Sequence, residues 1–470
     1  MALSFLFYDL VFLIVFTIWV VWFLYTRKHN LKREGIIYLY RTKLGIRFIN
    51  YVGKKYKKAI KVLRYFSVLT GFILMIGILG ILSLTLYTYL RFPQITQVVK
   101  APPILPLIPY FPSIFGLQSF FPPLYFTYWI IAILIVAAVH EFSHGIFAKY
   151  HGLKIKSTGF AFLGPILGAF VEPDEKAMFK KGKFAQMSIL SAGVFANIIT
   201  AAVFTIFLWV TFLVAFQPGG VIIAGYPSAI IEISSIQEVN GAKFNNDFNG
   251  FLTGELTEIK TKENNFIIQT EALEKQLSTY NNSVNKIAVF LDAPAVRNNI
   301  QGVIVSIGDE EVKTREELTS ILSKHLPGDK VSIKTKINGN ATNYEIILSE
   351  HPTYKGTAFL GISSYQEGGP FNKFMRKVLS FRDPSISYEE KNTFFVFIYY
   401  LLWWIVMINF FVALFNMLPI GILDGGRFFQ LTIFWVTKSE KSSILIYKLI
   451  LYLILFLFLA ILFSYLTALL

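Results

Sequence analysis

Six apolar runs, at 3–25, 66–90, 124–149, 185–216, 394–417 and 444–469, set the outer limits of what this 470-residue chain can fold into. Each run is long enough for a helix to cross a hydrocarbon core of about 30 Å. The chain is 54% hydrophobic and only 16% charged, against about 25% charged in soluble domains. It therefore reads as a polytopic α-helical membrane protein of six spans, with a soluble α+β region inserted between the fourth and fifth. The first run has no basic residues before it and is followed by Arg27 and Lys28, as expected of a retained span and not of a cleaved leader.

A net charge of +15 raises nucleic acid as a partner, but the distribution speaks against it. Thirteen Lys or Arg fall between Arg27 and Arg64, directly after an apolar run. Such a run marks a cytoplasmic loop facing anionic lipid. Counting spans from that loop brings the end of 124–149, the lysine-rich stretch 150–184 and the end of 394–417 to the cytoplasmic face. The polar block 217–392 falls on the other side. Residues 101–123 carry seven prolines, so an irregular amphipathic or re-entrant loop is expected there. Cysteine is absent, which removes disulfides, thiolate ligands and a cysteine nucleophile from consideration.

The chemistry concentrates in the third run. His140-Glu141-Phe142-Ser143-His144 lies in continuous apolar sequence, so it is expected on a helix, where residues four apart share a face. Both imidazoles can then reach one tetrahedral Zn2+, with the intervening Glu placed to act on a bound water. Two of only six histidines have this spacing. Ionisable groups inside a span usually mark function; the bland reading is a polar cluster satisfied between packed helices. Two histidines need a further ligand. His29, His151, His325 and His351 lie in loops or in the insert, which leaves an acidic side chain from another span's cytoplasmic end. Asp424, in Leu423-Asp424-Gly425-Gly426 after the fifth run, fits that requirement, although Asp-Gly alone commonly just makes a turn.

HEFSH (140–144), GAFVEPDE (168–175), SAGVFAN (191–197) and FNMLPIGILDGG (415–426) together resemble the site-2 protease family of intramembrane zinc metalloproteases. The resemblance covers 120–216 and 394–436. It implies His140, His144 and Asp424 as zinc ligands and Glu141 as the catalytic general base. It also implies Asn197 and Asn416 as groups that orient ligands or bind an extended substrate. Segment 159–172 reads as a membrane-inserted hairpin whose edge, with Gly168 and Phe170, is offered to substrate backbone. SAGVFAN lacks the proline common in that motif, and 1–123 carries no diagnostic pattern.

The resulting division is 1–123 for the N-terminal spans and loops, 124–216 and 394–470 for the two parts of the catalytic membrane core, and two soluble modules between them. In the insert, 302–322 and 234–252 each read as strand, turn, short strand and helix. Residues 291–366 resemble a PDZ domain, and 219–290 a divergent copy. The implied function is hydrolysis of peptide bonds within or near the transmembrane segments of single-span proteins, in regulated intramembrane proteolysis. The partners are those substrates and membrane lipid. The alternative is a non-catalytic membrane scaffold that binds protein C-termini through its PDZ-like modules. The shortage of histidines disfavours a di-iron oxygenase, and no inverted repeat supports a transporter.

Overall fold

The computed structural model describes residues 5–92, 107–363 and 382–469, apart from 36, 119, 164–165, 246, 249, 280–284 and 338. It divides into two units, Met1–Phe212 with Phe394–Leu470, and Leu213–Thr393.

Among the described residues of the first unit, six helices are long and apolar enough to cross a membrane. They are α1 (Phe5–Thr26), α3 (Lys57–Arg91), α4 (Phe126–Tyr150), α7 (Ala192–Ala215), α10 (Thr393–Asn416) and α12 (Glu440–Leu469). The chain is thus a multi-pass membrane protein, and the six expected spans are present with shifted ends. Hydropathy merged 185–216 into one run, but two helices occupy it, α6 (Lys183–Leu190) and α7. They part at Ser191, whose hydroxyl bonds back to the Met187 carbonyl at 2.9 Å. Such back-bonding competes with regular helix and bends it.

The basic stretch after α1 is not plain loop. It forms β1 (Leu31–Glu34), β2 (Ile37–Thr42) and α2 (Ile46–Lys55). The first two join β3 (Ile155–Leu163) and β4 (Ile166–Pro173) in a four-stranded antiparallel sheet, ordered β1-β2-β3-β4. The expected hairpin at 159–172 is therefore present as β3–β4, its Gly164-Pro165 tip lying outside the described residues. β4 is a sheet edge. The sheet is clamped to the helices by Phe23 of α1, whose ring lies 5.2 Å from Tyr40 and 5.7 Å from Phe162. Val171 of β4 also meets the bare face of Gly145 on α4. Of the Pro-rich stretch, 101–106 lies outside the described residues, and most of 107–123 is irregular, with one helical turn at Phe111–Ile114.

Two of the apolar cores among the described residues of this unit tie the membrane helices together. One joins α3, α7, α12, the end of α10 and α11 (Asp424–Thr437) through Leu74, Met75, Val194, Met417, Phe428 and Ile461. The other joins α4 and α10 with 107–121 through Phe126, Trp129, Trp404 and Ile408. A short helix, α5 (Glu175–Phe179), follows β4 and is capped by the Asp174 carboxylate, which accepts from the Ala177 N–H.

The second unit contains two six-stranded sheets. One orders β6 (Ser228–Glu232), β11 (Lys286–Leu291), β10 (Asn265–Gln269), β9 (Leu256–Thr261), β7 (Ile236–Val239) and β8 (Ala242–Lys243), with α8 (Thr270–Thr279). The other orders β15 (Asn340–Ile347), β14 (Lys330–Ile337), β12 (Val303–Ile307), β5 (Phe216–Ile222) and β18 (Ile386–Glu390), with β13 (Glu310–Glu311) on β12 and α9 (Arg315–Leu322) following. A small hairpin pairs β16 (Ser349–Glu350) with β17 (Ala358–Phe359). The second pattern follows the expectation for 302–347, down to a Thr314–Glu317 capping box on α9. The first does not. Asn240 and Gly241 make the expected tight turn, both at positive φ, but no helix follows among the described residues of 244–252; it comes at 270–279. Strand β5 precedes the first sheet in sequence yet pairs with β12 and β18 of the second. The first sheet is therefore an insertion within the second.

Candidate metal centre

The apolar run on either side of His140 makes α4 a continuous helix, and the i, i+4 spacing sets the two imidazoles edge to face with ring centroids 4.6 Å apart. Asp424 arrives from α11. The chain leaves α10 at Asn416, turns through 417–423, and starts α11 at Asp424 itself, where a carboxylate is favoured by the unpaired N–H groups and dipole of a helix N-terminus. The two glycines after it allow that turn to close. A Cβ on Gly425 would lie 2.3 Å from the Met417 carbonyl carbon, and one on Gly426 2.3 Å from the Ile420 oxygen. Asp-Gly-Gly is thus not a bare turn but a helix start pressed against the backbone behind it.

The three side chains converge. His140 Nε2 and His144 Nε2 are 3.0 Å apart, and each is 3.2 Å from Asp424 Oδ2. Among the described residues these form a His-His-Asp group able to hold a metal ion. The chemistry of the donors tests the fit. His144 Nδ1 lies 2.7 Å from the Ile189 carbonyl oxygen, which can only accept, so Nδ1 carries the hydrogen. His144 therefore turns Nε2 toward a carboxylate oxygen and a second imidazole nitrogen, three electron-rich atoms that a shared cation, metal or proton, holds together. A tetrahedral zinc ion with bonds of about 2.05 Å spaces its ligand atoms about 3.3 Å apart, close to the spacing here. On the far side of His140, the buried Asn197 carboxamide lies 3.1 Å from Nδ1, while its Oδ1 is buried without a partner. A half-turn of the amide makes Oδ1 the acceptor for His140 Nδ1–H and leaves Nε2 free to ligate. The residues present therefore fit zinc.

Around the triangle lies a cleft of 310 Å³, lined by Glu141, Val171, Pro173, Glu175, Asn416 and Arg427 among others. Glu141 Oε2 accepts from the Val171 N–H at 2.9 Å. Asn416 Nδ2 stands 3.5 Å from His140 Nε2. Arg427, one turn after Asp424, donates to Gln186 Oε1 at 2.9 Å and stacks 3.9 Å over the Phe179 ring. Two further carboxylates near the cleft are occupied elsewhere, Glu172 by Ser157 and Arg41, and Asp174 as the α5 cap. Of the residues expected at the site, the structure gathers His140, Glu141, His144, Asp424, Asn197 and Asn416. Gly168 and Phe170 of β4 are not part of the cleft lining; Val171 and Pro173 of the same strand are.

A family model for peptidase family M50 matches residues 128–461, and so takes in both halves of the triangle. The chain belongs to peptidase family M50. The family's members are zinc metalloproteases, and this M50 chain carries a His-His-Asp group able to hold a metal ion. A curated relative, an uncharacterized protein of Methanocaldococcus jannaschii, is 31% identical over 199 residues, which are 41% of this chain and 48% of that protein. The chain thus spans about half the length of the curated relative it matches.

Residues that sequence reasoning missed complete the M50 site. Gly193, one helical turn before Asn197 on α7, faces both imidazoles. Ile189 supplies the carbonyl that fixes the His144 tautomer. Only the Gly-x-x-x-Asn spacing carried a signal for the first; a backbone carbonyl carries none.

Proposed function

We propose that this protein is an intramembrane zinc metallopeptidase that hydrolyses peptide bonds within or near the transmembrane segments of single-span membrane proteins, acting in regulated proteolysis. The observation that carries the reading is the convergence of His140, His144 and Asp424 beside a carboxylate, Glu141, on a helix long and apolar enough to span a bilayer.

His140, His144 and Asp424 would hold the ion, which when bound polarises the scissile carbonyl and acidifies a water. Glu141 takes the proton from that water and delivers it to the departing amide nitrogen. Asn197 fixes the His140 ring by its second nitrogen, and Asn416 lies close enough to bond an extended substrate. A helical substrate hides its carbonyls in i to i−4 bonds, so it must unwind before cleavage, and an open strand edge such as that of β4 gives the unwound segment backbone partners.

Lysine and arginine placement supports an active site toward the cytoplasmic side and an extracytoplasmic insert. The second sheet of the insert reads as a PDZ-like module that selects substrates by a trimmed chain end and contributes no catalytic group. Strand-turn-strand-helix order at 303–322 supports this for the second sheet.

The decisive experiment reconstitutes the purified protein in vesicles with candidate single-span substrates, comparing wild type, Glu141→Gln and chelator treatment. Cleavage should require both Glu141 and metal. Cleavage that persists in chelator and in the variant alike would defeat the reading.

A further inference from the structure

The hydrogen bond from the Val171 N–H to Glu141 Oε2 is the contact the mechanism above leaves unused. Among the described residues β4 has a strand neighbour on one side only, β3, and Val171 stands opposite Thr158 in that ladder. Backbone groups in an antiparallel strand alternate between the two sides. Because the Val171 N–H is spent on Glu141, it faces the open edge, and Ala169 faces the same way. Gly168 and Phe170 then turn their backbone groups inward to Ala161 and Gly159. The strand is held at this point from the helix side as well. Gly145, the residue after His144, has no side chain to keep the strand away, and a Cβ there would come within 3.1 Å of Val171 Cγ1. Glu141 has no cationic partner among the described residues.

We propose that the Val171 backbone amide is a positioning group for the general base, making the edge of β4 part of the catalytic apparatus. The N–H holds one oxygen of the Glu141 carboxylate and leaves the other turned to the cleft. Without it a Glu side chain with three free torsions would sample many rotamers. An N–H has one hydrogen to give, so the group that orients Glu141 is withdrawn from substrate. An unwound segment adding to β4 must pair with the groups that remain, the Ala169 N–H and C=O and the Val171 C=O. Val171 thereby fixes both the aim of the base and the register at which substrate docks.

This inference rests on the peptidase reading, and its test separates the two. Proline at an outward-facing edge position removes an N–H without costing a ladder bond. Val171→Pro should therefore lower kcat about 10- to 100-fold, the cost of a misplaced catalytic group, with KM and zinc content unchanged. A Val171→Pro enzyme with normal kcat and raised KM would show that the amide serves substrate instead, and would overturn the proposal. Independently of activity, hydrogen–deuterium exchange of the 166–173 segment should show one amide exchanging faster in Glu141→Ala than in wild type. Unchanged exchange overturns the proposal even where Val171→Pro fails to fold. If wild type cleaves nothing while the exchange difference is present, the peptidase reading has failed and the Val171–Glu141 bond has not.

Discussion

Gly193 lies against His144: a methyl group built on its Cα would stand 2.5 Å from His144 Nε2 and 2.6 Å from His140 Cε1. Helix α7 can approach α4 this closely only because position 193 has no side chain. The same approach brings Asn197, one turn further on, against His140 Nδ1.

Gly193→Ala is accordingly expected to push both imidazoles away from Asp424. Alanine favours helix over glycine by up to about 1 kcal/mol, so any loss cannot be blamed on backbone propensity. Zinc affinity should fall roughly 10- to 100-fold, the range for a disturbed supporting contact. Metal analysis after equilibrium dialysis checks this, and unchanged affinity would show that the rings move aside at no cost.

Glu141→Gln and Asp424→Ala should fail in different ways. The first keeps all three candidate ligands and loses the base, so zinc remains while turnover falls by about 10²–10⁴. The second removes one corner of the triangle, so metal content and turnover fall together. Measuring zinc per chain and cleavage on the same preparations separates the two. Normal zinc in Asp424→Ala would remove that residue from the ligand set.

How much of this was legible in the sequence depends on the range of the interaction. The spans show because twenty apolar residues in a row leave few alternatives, and His140 and His144 show because helical spacing is local. Asp424 is 280 residues away from His144, yet its Gly-Gly partner and the span before it give it a recognisable setting. The sheet did not show in full. β2 pairs with β3 across more than a hundred residues, and nothing in the basic stretch 27–64 names its partner. β5 joins the second sheet for the same reason, since a strand of seven residues carries no address. The break at Ser191 was hidden because hydropathy averages over a hydroxyl that bends the helix. Val171 and Ile189 act through backbone atoms, which a side-chain reading cannot rank.

His151 follows the last residue of α4 and gives the fold a pH dependence. Burial and the nearby Arg64 and Lys181 lower its imidazole to about 4, against about 6.5 when unfolded. The folded state then holds this histidine neutral where the unfolded chain would protonate it. Its contribution is fully present above pH 6.5 and is lost progressively as pH falls toward 4. Thermal unfolding in detergent between pH 7.5 and 4.5 should show wild type losing stability in acid more steeply than His151→Gln. Parallel curves would remove His151 as the cause.

Asp9 supplies the other end of α4. It is buried at 1% exposure on α1, and its carboxylate accepts from the Phe126 N–H at 2.7 Å, the Thr127 N–H at 2.9 Å, the Tyr110 hydroxyl at 2.6 Å and the Thr127 hydroxyl. The residue at the α4 N-cap position, Tyr125, makes no side-chain cap, so a different helix provides one. Asp9→Ala strands two helix N–H groups in an apolar setting. Loss of a cap costs about 0.5–2 kcal/mol, and each buried donor left unpaired costs about 1–3 kcal/mol. Asp9→Asn is not a mild change, because all four neighbours donate and an amide nitrogen donates as well. Both variants should therefore unfold at lower temperature than wild type, with Asp9→Asn no better than halfway between. Because the cap lies at the opposite end of α4 from His140 and His144, zinc affinity should change less than stability does. A variant with wild-type unfolding temperature would show that α1 is not fastened to α4 through this carboxylate.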